Sequence, residues 1–124
     1  MGIKIMTPSE TEEQAAVIKW WDLKCKAWKI PPHLLFHVPN EGSGSAARGR
    51  LLKRQGVRPG CPDLCLSVAR GGFFGLFVEM KRRNGRTPPE QKAFHADLRA
   101  QGYRVEVCYG AQAAIDTITL YMLS

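Results

Sequence analysis

The first regular pattern along the chain runs from Ser9 to Trp28. Glu10, Gln14, Val17, Trp21, Cys25 and Trp28 follow at steps of 4, 3, 4, 4 and 3, which is one stripe of a 3.6-residue helix. The stripe is polar at its first two members and apolar from Val17 onward. Ile30-Pro31-Pro32 ends it, because proline donates no amide proton and clashes with the preceding turn. "LLFHVP" (34–39) reads as a short strand and "NEGSGSAARG" as a Gly/Ser loop. A short basic helix ending at Gly56 is one reading of "AARGRLLKRQG". "DLCLSVA" and "FFGLFVEMK" are strands joined by "RGG", an antiparallel hairpin bent at Gly71-Gly72. After the loop "NGRT", Thr87-Pro88-Pro89-Glu90 predicts a helix start, with Thr87 as N-cap, Pro88 at N1 and Glu90 closing a capping box. That helix runs to about Gln101, with Gly102 at the C′ position. "YRVEVCY" is a strand and "AQAAIDTITLYML" a final helix. The order is α, β, a loop with room for a helix, β, β, α, β, α. It predicts one α/β domain over residues 1–124 around a mixed sheet flanked by helices, with no internal repeat.

Composition adds constraints. The chain has 124 residues and is 44% hydrophobic, enough for a core. No run approaches the ~18–20 apolar residues of a membrane span, and "MGIKIMTPSETEE" lacks the apolar centre of a signal peptide, so a cytoplasmic protein with no membrane partner is expected. Cys61 and Cys65 are the only close cysteines and have no histidine nearby, which is poor zinc spacing. All four cysteines, with Cys25 and Cys108, read as reduced and mostly buried thiols. The net charge is +7, and the excess is clustered. Arg48, Arg50, Lys53, Arg54 and Arg58 fall within 11 residues, and Lys81, Arg82, Arg83 and Arg86 within six. Such patches favour polyanions, nucleic acid first; the plainer reading is a solvated basic face.

The hairpin raises a sharper question. Strand side chains alternate between faces, so Glu79 and Lys81 share a face with Phe77, and Met80 points the other way. Glu79 therefore ends an otherwise apolar strand, where an unpaired charge is costly. Pro62 cannot join a ladder as a donor, so it marks the start of the neighbouring strand, which Asp63 opens. A bend at 71–72 sets paired residues to sum to about 143, placing Asp63 opposite about residue 80, beside Glu79. Two carboxylates so close repel unless positive charge lies between them. Mg²⁺ or Mn²⁺ is the natural candidate, with the Met80 backbone carbonyl as a third oxygen. Lys81 beside such an ion orients or activates a water and stabilises phosphate charge. The competing reading is a strand-end salt bridge among Asp63, Glu79 and Lys81.

Pro62-Asp63 followed by Glu79-x-Lys81 resembles the core of the PD-(D/E)XK nuclease superfamily, whose fold is restriction-endonuclease-like. The surrounding residues resemble one branch, the VRR-NUC domain (virus-type replication-repair nuclease) in its stand-alone phage or bacterial form. The stretches that carry this are "SETEEQAAVIKWW" (9–21), "HVPNEG" (37–42), "QGVRPGCPDL" (55–64), "FGLFVEMKRRNGRTPPEQ" (74–91) and "LRAQGYRVEVCYG" (98–110). The resemblance implies a divalent-metal endonuclease cutting DNA. In it Asp63 and Glu79 are metal ligands, Lys81 is the catalytic lysine and Gln91 stands near the site. It also implies a homodimer acting on branched DNA such as Holliday junctions, in phage replication or repair. A glutamate of the first helix is to support the metal. Glu10 is on the inward stripe, Glu12 shares a solvent-like face with Lys19 and Lys26, and Glu13 is intermediate. Glu10 leads and Glu13 is the alternative, against a plain capping role in Thr7-Pro8-Ser9-Glu10. Asn40 contacts a phosphate or holds the loop, and Glu41 stands behind the ligands, unless both are turn residues. His37 lines the site or, like His33 and His95, is a satisfied structural histidine.

Overall fold

The computed structural model of the chain describes residues 9–39 and 45–124. Asn40 and Glu41 lie outside the described residues, as does Thr7. Helix α1 (Glu10–Lys24) is capped by Ser9, whose hydroxyl accepts from the Glu12 amide at 3.2 Å. The described cap is thus one serine, and Glu10 opens the helix. A 3-10 turn (Cys25–Trp28) continues it, and Lys29 in the left-handed region (φ 58°) ends it before the prolines. Strand β1 (Leu35–His37) follows, then α2 (Ala46–Arg54), β2 (Leu64–Leu66), β3 (Leu76–Lys81), α3 (Pro89–Ala100), β4 (Arg104–Tyr109) and α4 (Ala111–Leu123). The predicted element order holds throughout.

The sheet has the order β1-β2-β3-β4. β1 and β2 pair antiparallel, as do β2 and β3, while β3 and β4 run parallel, joined through α3. One face carries the core. Val17, Trp21 and Cys25 of α1 pack with Leu64, Leu66, Leu76, Val78 and Met80 of the sheet and Ala114, Ile118 and Tyr121 of α4. The two large aromatics in this core have their polar atoms paired. Trp21 Nε1 donates to the Pro32 carbonyl at 3.0 Å, and the Tyr121 hydroxyl to the Val68 carbonyl at 2.6 Å. By strand alternation Phe77, Glu79 and Lys81 project from the opposite face, where Phe77 meets Tyr103 edge-on at 5.3 Å.

Two local expectations shift. The hairpin bend pairs Arg70 with Phe73, a sum of 143, but the ladder proper pairs Leu66 with Leu76, a sum of 142. Residues 67–69 face only 74 and 75, so one extra residue is absorbed, as in a bulge. That slip carries Asp63 to the position across from Glu79 itself. The second shift is at α3. Pro88 is the cap, extended at ψ 159°, Pro89 is N1, and no side chain caps the helix. A residue before proline is held out of the helical region, so Pro88 cannot be N1 and the Thr87 capping box does not form.

The loop before Asp63 is locked to α3. Gly60 has φ +89°, and a Cβ there would stand 2.5 Å from the Glu90 carbonyl oxygen and 3.1 Å from the Gln91 amide nitrogen. Both objections are to backbone, which cannot move aside cheaply. Gly60→Ala is expected to lower the urea-unfolding free energy by about 2 kcal/mol or more. An unchanged midpoint would show that the loop and helix are not tightly docked.

Candidate active site

Asp63 precedes β2, and the Leu64–Val78 pairing brings it across from Glu79. Asp63 Oδ2 accepts from the Met80 amide at 2.7 Å, and its carbonyl accepts from the Val38 amide at 2.7 Å, so the residue ties three strands together. Glu79 is 3% exposed. Its Oε1 lies 3.6 Å from Lys81 Nζ, and its Oε2 is buried with no hydrogen-bond partner. Burial and then the neighbouring Asp63 charge, against a weaker lowering pull from Lys81, push the Glu79 carboxyl up to about 8. Burial also raises Asp63, against the Met80 N–H; Glu10 adds to the rise and His37 opposes it. Burial lifts the Cys61 thiol to about 11, so it stays protonated and inert beside the pair.

A cleft of about 930 Å³ opens beside these residues, lined by Glu10, Glu13, Lys81, Arg82, Arg83, Asn84, Gly85, Tyr109 and Gly110. Glu10 Oε1 accepts from the Arg82 amide at 3.2 Å. Glu13 is engaged elsewhere. Its Oε2 accepts from the Ala111 amide at 2.5 Å, placing a carboxylate on the positive N-terminus of α4. The loop after β3 turns back, with Gly85 N donating to Arg82 O at 2.8 Å. The Tyr109 hydroxyl donates to Gly85 O at 3.4 Å. A Cβ on Gly85 would stand 3.3 Å from Lys81 Cβ and Cδ, so this turn rests on the lysine stem.

Helix α3 contributes Gln91 and, one turn later, His95. Gln91 Oε1 and His95 Nε2 are both buried without a hydrogen-bond partner. His95 is 3% exposed, and burial first, then the charges of Arg99 and Lys81, lower its pKa. His95 is therefore not the satisfied structural histidine expected from sequence. Its position four residues after Gln91 was the available signal. His37 does reach the site, with Nδ1 3.0 Å from the Asp63 carbonyl oxygen. The sequence singles out neither Tyr109 nor Gly85: the β3–β4 pairing brings Tyr109 to Lys81, and the local turn at Arg82–Gly85 brings Gly85.

The basic residues divide. Arg48, Arg50, Lys53 and Arg54 are exposed on α2, a helix with no buried residue. Arg58 is exposed and lines a smaller cavity of about 320 Å³ with Cys61 and Phe94. Arg82 and Arg83 line the main cleft, while Arg86 is exposed outside its lining.

The donor set suits a hard divalent cation. Two carboxylates converge, one with an orphaned buried oxygen, and both are held above their usual range, first by burial and then by neighbouring negative charge. Among the described residues no three His, Cys, Asp or Glu side chains gather at ligand spacing. Glu10 thus stands beside the pair, near enough to raise Asp63, rather than completing a three-carboxylate cluster.

A mixed sheet with helices on its faces brings Asp63, Glu79 and Lys81 together at the ends of its two central strands, the arrangement of a PD-(D/E)XK nuclease fold. The family model of the VRR-NUC domain matches residues 8–112. A solved structure described as a VRR_NUC domain protein is similar to this chain, with 30% identity, a TM-score of 0.79, and coverage of 94% of this chain and 90% of that one. No curated protein matches it. The chain belongs to the VRR-NUC domain family, and membership implies a nuclease-type function with DNA as substrate. No helix among the described residues is long and apolar enough to cross a membrane.

A carboxyl raised above its unfolded value keeps its proton longer in the folded protein. Glu79 therefore favours folding fully below about pH 4.5, and that contribution is lost as pH rises through about 8. His95 acts oppositely, its cost appearing below about 6.5. In EDTA, the melting temperature is expected to fall between about pH 6.5 and 8, and Glu79→Gln to flatten that slope. An unchanged slope in the variant would remove Glu79 as its source.

Proposed function

We propose that the protein is a divalent-metal-dependent, structure-selective DNA endonuclease that hydrolyses phosphodiester bonds, acting as a homodimer on branched DNA such as four-way junctions. The observation that carries this is the buried Glu79 carboxyl beside the half-buried Asp63, both raised above the usual carboxylate range, with Lys81 next to them. Asp63, Glu79 and the Met80 carbonyl are the residues to hold Mg²⁺ or Mn²⁺, with Glu10 in support and Glu13 committed to α4. The ion, when bound, supplies Lewis-acid charge that activates water and neutralises the phosphate.

The chain's own residues do the rest. Lys81 orients the attacking water and meets the charge that grows on the phosphate. Its stem, backed by Gly85, keeps the ammonium at the mouth of the cleft. Gln91, whose amide oxygen is buried without a hydrogen-bond partner, is assigned a supporting role near the site. Arg82 and Arg83 meet the backbone within the cleft, and Arg86 with the α2 cluster meets it further out. Contacts of this kind give salt-sensitive affinity that is largely independent of sequence. Asn40 is assigned a phosphate contact. A two-fold dimer sets two such sites on opposing strands of a junction.

The test is cleavage of linear duplex, single strand, flap, fork and four-way junction, each with Mg²⁺, Mn²⁺ or EDTA. Paired symmetric cuts in the junction are expected, lost in EDTA and in Asp63→Ala. Lys81→Ala is expected to slow cleavage by about 10²-fold or more with binding retained. Cuts in every substrate would keep the nuclease and remove the selectivity. Salt-dependent binding with no cleavage under any ion would identify a non-catalytic DNA-binding module instead.

A further inference from the structure

The smaller cavity has no part in the chemistry described so far. It holds about 320 Å³, and Val38, Gln55, Val57, Arg58, Cys61 and Phe94 are among its lining. Backbone contacts hold its walls. The Val38 amide, at the exit of β1, donates to the Asp63 carbonyl at 2.7 Å. Gln55 and Val57 belong to the turn that closes α2. There the Gly56 amide donates to the Lys53 carbonyl and the Val57 amide to the Leu52 carbonyl, both at 3.0 Å. The segment that carries Arg58 and Cys61 is pressed against α3 at Gly60, where a Cβ would stand 2.5 Å from the Glu90 carbonyl oxygen. Phe94 stands one turn further along α3. Walls held in this way are formed before anything enters.

The cavity borders the carboxylate pair. Val38 both lines it and bonds to Asp63. Cys61 lines it and precedes Asp63 by two residues, a span of at most ~7 Å between Cα atoms. Among the described residues it shares no lining with the main cleft, which opens on the Lys81 side. Its chemistry also differs. Val38, Val57 and Phe94 are apolar, and Gln55 and Arg58 are exposed. An aromatic ring among aliphatic side chains suits a flat π system. The Gln55 amide has a donor and an acceptor for the polar edge of such a ring, and Arg58 brings charge for a phosphate attached to it. A phosphate alone leaves the apolar lining unexplained, and an aliphatic ligand leaves Gln55 and Arg58 without a role. The volume is at the lower end of the ~300–1,000 Å³ of ligand pockets, room for one ring system and not for a duplex.

We propose that this cavity is a nucleobase site: a base next to the scissile phosphate leaves its stack and packs on Phe94, with its polar edge toward Gln55 and Arg58. The proposal rests on Asp63 standing at the scissile phosphate, and it supplies that reading with a source of structure selectivity. A base inside a duplex must unstack and unpair before it enters, which costs less beside a fork, flap or junction point.

The first test is binding and needs no cleavage. Metal-free protein is titrated with a forked duplex in which one position at a time near the branch point is made abasic. Wild type is compared with Phe94→Leu, which keeps an apolar side chain and removes the ring. At one position, loss of the base is expected to weaken wild-type binding about 10-fold and to leave Phe94→Leu unaffected, with affinity for linear duplex equal in the two proteins. Losses that add at every position, or wild-type affinity for the fork in Phe94→Leu, overturn the proposal. The second test uses wild type alone. The fork carries 5-iodouracil at each of the same positions and is irradiated, and the cross-links are mapped by mass spectrometry. They are expected at Gln55, Arg58, Cys61 or Phe94. Cross-links confined to the main cleft, or none at any position, overturn the proposal, and this test decides it if Phe94→Leu fails to fold. A protein that binds the fork and cleaves nothing defeats the nuclease reading alone. One that cuts DNA with no coupling at Phe94 and no cross-link in the cavity defeats this proposal alone.

Discussion

A carboxylate buried at the end of the central strand is the constraint around which the rest of this structure is arranged. Glu79 is 3% exposed, and taking an unpaired charge out of water costs several kcal/mol. The usual remedy is a close bidentate partner, and the fold withholds it: Lys81 stands at 3.6 Å, and Asp63 brings a second negative charge. Elsewhere the same chain pairs its buried polar atoms well. Trp21 Nε1, the Tyr121 hydroxyl and the Glu13 carboxylate all find backbone partners. Among the described residues the orphaned buried side-chain atoms are Glu79 Oε2, Gln91 Oε1 and His95 Nε2, on one strand and one adjoining helix. Polar atoms left unpaired on a strand and on the helix that follows it, in a protein that pairs them elsewhere, point to residues adapted to something other than folding.

The topology explains how so short a sheet holds that site. Asp63 reaches Glu79 because β2 and β3 form a hairpin, and the bulge at 67–69 sets the register that brings the two opposite. The parallel β3–β4 pair ends at Lys81 and Tyr109, so the loop after β3 and the start of α4 leave the sheet side by side. The N-terminal turn of α1 closes that edge, with Glu10 on the Arg82 amide and Glu13 on the Ala111 amide. A crevice outside the carboxyl ends of parallel strands is where α/β sheets place ligands, for the same reason: the backbone groups there have no further strand to pair with.

What the sequence discloses and what it hides divide by distance along the chain. The α1 stripe, the Gly71-Gly72 bend and the order of elements are local periodicities and turn signals, and they read correctly. Asp63, Glu79 and Lys81 come together as read because one hairpin carries all three. The α3 cap fails because two prolines in a row change which residue can be helical, a competition that the capping pattern does not weigh. Glu13 reads as a second metal supporter because its partner, Ala111, is 98 residues away. His95 reads as an ordinary core histidine because burial without a partner is a property of packing, not of spacing. The α2 cluster is plainly basic in sequence, but charge density does not say which way a helix with no buried side faces.

Holding Asp63 and Glu79 in this state has a consequence for the whole domain. Both carboxyls are raised, so near neutral pH the folded protein either keeps a proton that the unfolded chain would release or carries two negative charges at close range. A divalent cation relieves either condition, and binding that favours the folded state returns as stability. The arginines of the cleft cannot substitute for it. Arg82, Arg83 and Arg86 lie beyond the end of β3, and Arg82 and Arg83 face the cleft rather than the Glu79 carboxylate. Their positive charge is set for a polyanion that approaches from solvent, whereas the deficit at Glu79 lies inside. The two demands meet at Lys81, whose stem is buttressed by the loop that carries those arginines and whose ammonium is within reach of the buried carboxylate.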